Sequence, residues 1–154
     1  MLAVSAVTKA MNEQQFIPQI ADALTSAASA PKALIKVIVA DDEARLRSAL
    51  RLRLEHEPGI RVVGEATDVG SLLAQAEAKL PDILLMDWEL PGLTMAGAGL
   101  QLLRTLRYWF PQLKVIALSS LPEAKEAALA AHVDAFVSKA EPADHLIQLC
   151  QIAK

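Results

Sequence analysis

From residue 33 onward the apolar positions change period again and again along the chain. ALIKVIVA (33–40) is a nearly continuous apolar run. EARLRSALRLRLE (43–55) places Leu46, Ala49, Leu50 and Leu54 at helical spacing, with Arg45, Arg47, Arg51 and Arg53 between them. GIRVVGEA (59–66) reads as a strand after a Pro-Gly turn, and 68–79 returns to a helical pattern through Leu72, Leu73 and Ala76, with Asp68 as N-cap. DILLMD (82–87) is a third apolar strand and AGLQLLRTLRYWF (98–110) a helix stopped by Pro111. LKVIALSS (113–120) is a fourth strand, and PEAKEAALAA (122–131) a helix opening on proline, as first turns often do. DAFVSK (134–139) is a short fifth strand and PADHLIQLCQIA (142–153) a last helix.

Five strands therefore alternate with five helices. Strands apolar on both faces belong in a parallel sheet with helices on either side. Right-handed crossovers leave few topologies, and the order 2-1-3-4-5 is expected. That order has a switch point between strands 1 and 3, where ligands bind beyond the carboxyl ends of the strands.

The residues at those ends carry the chemistry. Strand 1 runs into Asp41-Asp42-Glu43, strand 3 ends in Asp87, strand 4 in Ser119-Ser120 and strand 5 in Ser138-Lys139. Two carboxylates about 4 Å apart repel by roughly 4 kcal/mol at an effective dielectric near 20. Such a cluster must take up a proton or bind a cation, and carboxylate oxygens suit Mg²⁺. Each residue also has a bland reading. The acidic triplet could be a helix first turn favoured by the dipole, a serine could cap the next helix, and Lys139 could be one more solvated lysine. The joint pattern favours a phosphoryl-transfer site: a carboxylate nucleophile, a metal, and a hydroxyl and an ammonium for the oxygens of the moving group.

Composition narrows the class. The chain has 154 residues, 53% of them hydrophobic and 21% charged, which argues for one domain with a proper core. A formal net charge of −3 carries no nucleic-acid footprint, and no apolar run reaches the length of a membrane span. Cys150 stands alone, so an internal disulfide is impossible; a cytoplasmic setting and a buried thiol are expected. The three histidines, His56, His132 and His145, have no metal-ligand spacing. Residues 1–32 differ from the rest, being Ala/Ser-rich and interrupted by Pro18 and Pro31. The expectation is an N-terminal extension with a helix over about 7–28 and a linker, and a domain over 33–154.

The motifs VIVADDE, LLMDWELPG, VIALSS and DAFVSK, in this order, resemble the receiver domain of two-component response regulators over about 35–153. The resemblance implies a flavodoxin-like doubly wound α/β fold. It implies that Asp87 is the phosphoacceptor, that Asp42 binds Mg²⁺ (or Mn²⁺) directly with Asp41 beside it, and that the Glu89 backbone carbonyl is a further metal ligand. Ser119 would bind the phosphoryl group, Lys139 would be the family's lysine, and Phe136 would be the switch aromatic that follows Ser119. The donor would be a phosphohistidine on a sensor kinase or phosphotransfer protein. A downstream protein would read the face of the fourth helix, fifth strand and fifth helix, and a homodimer stays open. The domain would catalyse its own phosphorylation and dephosphorylation without being a conventional enzyme.

Departures from the family pattern are specific. LTMAGA lengthens the loop after Gly92, and Gly97 and Gly99 are expected to make it pliable. Glu89 stands where the family adjusts dephosphorylation. His132 replaces a glycine and is expected to end a helix in left-handed backbone. Ala124, Ala127, Ala128 and Ala131 either smooth the fourth helix for a partner or simply favour helix, the second being the better reading. No output domain is expected after the last helix. A stand-alone receiver is favoured over a fragment of a DNA-binding regulator. Two other classes compete: a phosphorylation-independent interaction or dimerisation module, and an aspartyl phosphohydrolase of the haloacid dehalogenase type, which would need an aspartate where Glu89 stands.

Overall fold

The computed structural model describes residues 33–152. The expected N-terminal helix and linker lie outside the described residues. In chain order the elements are β1 Ile35–Ala40, α1 Ala44–Glu55, β2 Ile60–Ala66, α2 Val69–Lys79, β3 Ile83–Asp87, α3 Ala98–Trp109, β4 Lys114–Ser119, α4 Ala124–Ala130, β5 Ala135–Ser138 and α5 Ala143–Ile152. The strands form one sheet in the order β2-β1-β3-β4-β5, and every pairing is parallel.

Alternation along each strand sorts the core into two layers. Ile38, Ala40, Leu84, Met86, Val115 and Ala117 point to one face, where Leu72 and Ala76 of α2, Leu102, Leu103 and Leu106 of α3 and Ala128 of α4 cover them. Val37, Val39, Ile83, Leu85, Ile116, Leu118 and Val137 point to the other, under Leu54 of α1 and Leu146, Ile147 and Cys150 of α5. All five residues of β3 are buried, so the central strand reads as an unbroken apolar run up to its final aspartate. Burial of Cys150 pushes its thiol pKa up to about 12, so it is a core residue and not a reactive one.

Several expectations are corrected. The apolar stripe of α1 is only partly covered: Leu54 is buried, Leu46 and Leu50 are half-buried, and Ala49 is exposed. Helix α4 starts at Ala124, two residues after Pro122, and Ala124, Ala128 and Ala131 are core residues, not a smooth outer face. Gly99 is no hinge. It is buried in the first turn of α3, where an added Cβ would lie 2.5 Å from two ring atoms of Trp88. Gly97 does need its freedom, with φ of 81° at the N-cap of α3. A methyl group at position 99 has nowhere to go unless the indole moves. Gly99→Ala is therefore expected to destabilise the fold by roughly 1–3 kcal/mol and to shift the emission of Trp88, read by urea unfolding followed by fluorescence.

Two helix ends use left-handed backbone without glycine. His132 has φ of 69°, as its position after α4 predicts, and its carbonyl accepts from Arg107 Nη2 at 3.0 Å. Leu80 was not foreseen: it caps α2 with φ of 48° and is 60% exposed. A Cβ in this region costs about 1–2 kcal/mol, and the exposed side chain recovers little of it. Leu80→Gly is expected to stabilise the domain by about 0.5–1 kcal/mol, seen as a higher urea midpoint at unchanged slope.

Candidate functional site

Parallel strands deliver all their carboxyl ends to one edge of the sheet. At that edge β3 ends in Asp87 and β4 in Ser119, while Asp41 follows β1 and Lys139 follows β5. Because β1 and β4 both flank β3, the three chains converge on Asp87. Asp41, Asp87 and Ser119 are the buried polar side chains among the described residues, exposed by 1%, 4% and 1%. A solvated acidic turn is thereby excluded for Asp41, and so is a merely capping role in water for Ser119.

Backbone contacts hold each group. The Asp41 N–H donates to the Ala66 carbonyl at 3.0 Å, tying the end of β1 to β2. Its Oδ1 accepts from the Glu43 N–H at 2.8 Å, and its carbonyl accepts from Arg47 Nη1 at 2.8 Å. Asp87 Oδ1 accepts from the Glu89 N–H at 3.0 Å, which fixes the carboxylate against the Trp88–Glu89 turn that the Leu90 N–H closes on the Asp87 carbonyl at 3.1 Å. The Trp88 N–H donates to the Leu118 carbonyl at 2.8 Å, so β4 still grips the chain one residue past β3. The Lys139 N–H donates to the Ser119 carbonyl at 2.9 Å and sets the lysine over the crevice.

There Lys139 Nζ lies 2.8 Å from Asp41 Oδ2 and 3.3 Å from Asp87 Oδ2. Burial opposes the ammonium, but the two carboxylates outweigh it and raise the lysine pKa. The Asp87 pKa is raised too. Burial is the main cause and the adjacent Glu89 carboxyl adds to it; the Glu89 N–H and Lys139 pull the other way and lose. One ammonium does not neutralise the acids gathered here.

Asp41, Asp42 and Asp87 each offer a carboxylate oxygen, and the three oxygens lie within 4.8 Å of one another. This is a hard-oxygen donor set carrying excess negative charge, and it fits a divalent cation of the Mg²⁺ type, which takes one or two carboxylates and keeps waters. Asp42 is the exposed member of the three.

Of the residues singled out from sequence, Asp41, Asp42, Asp87, Glu89, Ser119 and Lys139 come together. Phe136 lies apart, half-buried against the α2–α4 side of the core, opposite Ala117 in register. The Glu89 side chain was missed as a structural partner. The Ser119 hydroxyl donates to Glu89 Oε1, while Ser119 Oγ accepts from the Leu121 N–H at 3.0 Å. A glutamate thirty positions from a serine has no sequence signature; only the pairing of β3 with β4 brings them together. Arg47, which clamps the Asp41 carbonyl and pairs with Glu65 at 3.3 Å, was likewise read only as part of a charged helix face.

The profile of the response regulator receiver domain matches residues 37–151. Response regulator protein VraR of Staphylococcus aureus is 35% identical over 107 residues, covering 68% of this chain and 49% of that protein. Response regulator GacA of Pseudomonas syringae pv. syringae is 33% identical over 90 residues, covering 58% of this chain and 40% of that protein. The chain thus spans less than half the length of these curated relatives. Among solved structures, the signal receiver domain of the putative response regulator NarL from Mycobacterium tuberculosis superposes with a TM-score of 0.69 at 26% identity, covering 79% of this chain and 98% of that one.

Proposed function

The chain belongs to the response regulator receiver family, and on that premise we propose that Asp87 accepts a phosphoryl group from a phosphohistidine on a sensor kinase or a phosphotransfer protein. An Asp87 oxygen attacks phosphorus as the N–P bond breaks, and the electron pair of that bond stays on the donor imidazole. The Ser119 hydroxyl and the Lys139 ammonium take the phosphoryl oxygens. Mg²⁺ or Mn²⁺, held by Asp41, Asp42, Asp87 and the Glu89 carbonyl, would supply positive charge for the same oxygens. Water later releases phosphate from the same aspartyl group. The observation that carries this reading is the buried Asp87 carboxylate sharing one lysine with Asp41 at the converging strand ends.

The acyl phosphate adds about −1.5 to −2 charge to the crevice. Ser119 turns toward it and Phe136 moves inward from its half-buried place. The face of α4, β5 and α5 then favours a different protein partner, by a shift between two populated states. The reading places the receiver at 33–154 with residues 1–32 as an extension, and the site in the cytoplasm. Among the described residues no helix is long and apolar enough to cross a membrane.

The test is direct. The protein is incubated with Mg²⁺ and acetyl phosphate and its intact mass is measured. One added phosphoryl group, labile as an acyl phosphate is, supports the reading; an unchanged mass overturns it.

A further inference from the structure

We infer that the Glu89 carboxylate is a built-in occupant of the phosphoryl site, holding the Ser119 hydroxyl and lying against Asp87, so that an incoming phosphoryl group must displace it. This rests on Asp87 being the phosphoacceptor.

Three observations converge. First, the Ser119 hydroxyl proton is committed to Glu89 Oε1, and the Ser119 oxygen already accepts from the Leu121 N–H. While it points to Glu89, the hydroxyl offers its proton to no phosphoryl oxygen; the Leu121 carbonyl, 3.4 Å away, is its other acceptor. Second, the Glu89 N–H donates to Asp87 Oδ1 at 3.0 Å, which holds the residue beside the acceptor carboxylate. Third, Glu89 Oε2 is buried and has no hydrogen-bond partner. A carboxylate oxygen without a partner is a costly resident of a protein interior. Its departure breaks one charge-assisted bond and returns an unpaired oxygen to water, so this arrangement can be displaced.

The consequence is a gate on donor access. The transfer itself is unchanged: an Asp87 oxygen bonds phosphorus as the P–O bond to acetate breaks, and acetate leaves with the electron pair. What changes is the fraction of molecules whose site is open to the donor. A site open only part of the time shows an apparent affinity reduced by that fraction, while its saturated rate is little altered.

The experiment measures initial phosphorylation rates over a range of acetyl phosphate concentrations at saturating Mg²⁺, for the wild-type chain, Glu89→Gln and Glu89→Ala. Emptying the site in Glu89→Ala is expected to lower the half-saturating donor concentration by about tenfold, a larger change than any in the maximal rate. Glu89→Gln, which keeps the shape and removes the charge, should fall between. Beryllofluoride, which occupies the site without any transfer, should bind Glu89→Ala more tightly by a similar factor in calorimetry. A half-saturation equal to or higher than wild type in Glu89→Ala, with wild type still phosphorylated, overturns the occupant and leaves the phosphoacceptor reading intact. Failure of wild type and both variants to gain a phosphoryl group or to bind beryllofluoride removes both.

Discussion

Asp87→Asn is expected to lose phosphoryl acceptance entirely and to gain stability. The amide has no anionic oxygen to attack phosphorus, and β3 itself carries no other carboxylate. Acetyl phosphate and Mg²⁺ should leave the mass of this variant unchanged, whereas the wild-type chain gains one group. A phosphoryl group that persists in Asp87→Asn would move the acceptor elsewhere. The stability change follows from electrostatics. Asp87 is buried beside Asp41, Asp42 and the Glu89 carboxyl, with one lysine to share. Its pKa in the fold lies above its ordinary value. Over the interval between the two values the native state binds more protons than the unfolded chain, so stability falls as pH rises through it. Above its native pKa the wild-type domain carries that loss in full. The asparagine keeps the shape without the charge and is expected to be more stable by roughly 0.5–2 kcal/mol in metal-free buffer, the usual exchange of activity for stability at a charged site. Thermal unfolding across the acid-to-neutral range reads both points: the downward slope of the wild type should flatten in the variant. A variant less stable than wild type at neutral pH would mean that the pairing with Lys139 outweighs the burial of Asp87.

Lys139→Met should have the largest destabilising effect at the site. The methionine fills the volume but leaves Asp41 and Asp87 buried without their cation, at contacts that were 2.8 and 3.3 Å. Removing one partner of a buried pair costs about 3–5 kcal/mol. The Lys139 pKa is raised in the fold, so its contribution is complete below its ordinary pKa, neutral pH included, and is lost only as pH rises through the higher native value. Urea unfolding at neutral pH is therefore the right measurement. Millimolar Mg²⁺ should restore part of the loss, because bound ligand stabilises the native state by mass action. The rate of phosphorylation should fall roughly a hundredfold, the cost of removing one preorganised donor to a developing charge. A Lys139→Met protein as stable as wild type in chelator would show that Asp41 and Asp87 share a proton and do not rely on the lysine.

Much of this was legible along the chain because β-sheets and helices write themselves as periods. The unbroken apolar run of β3, the stripe of α2 with its Asp68 cap and the arrest of α3 before Pro111 all follow from local physics. The site residues were legible for a related reason: polar groups at the end of an apolar strand stand out. Asp41, Asp87, Ser119 and Lys139 could each be picked by that contrast. What escaped was lateral. Glu89 meets Ser119, Arg47 clamps Asp41, and Gly99 makes room for Trp88 across gaps that no local pattern marks. Leu80 escaped because left-handed backbone normally announces itself with glycine. Ala124, Ala128 and Ala131 escaped because an alanine-rich helix shows no contrast between its inner and outer faces.

The amino-acid sequence by itself determined the order of elements, their parallel stacking and the acidic, hydroxyl and amino groups set at the strand ends. These depend on interactions between near neighbours and on one hydrophobic period per element. Only the tertiary structure decided which of those groups touch. It put a single ammonium between two buried carboxylates, raised the Asp87 pKa and left a glutamate in the hydroxyl's bond. Distances of a few ångströms between distant residues, and the desolvation that sharpens every charge among them, come into being only when the sheet closes.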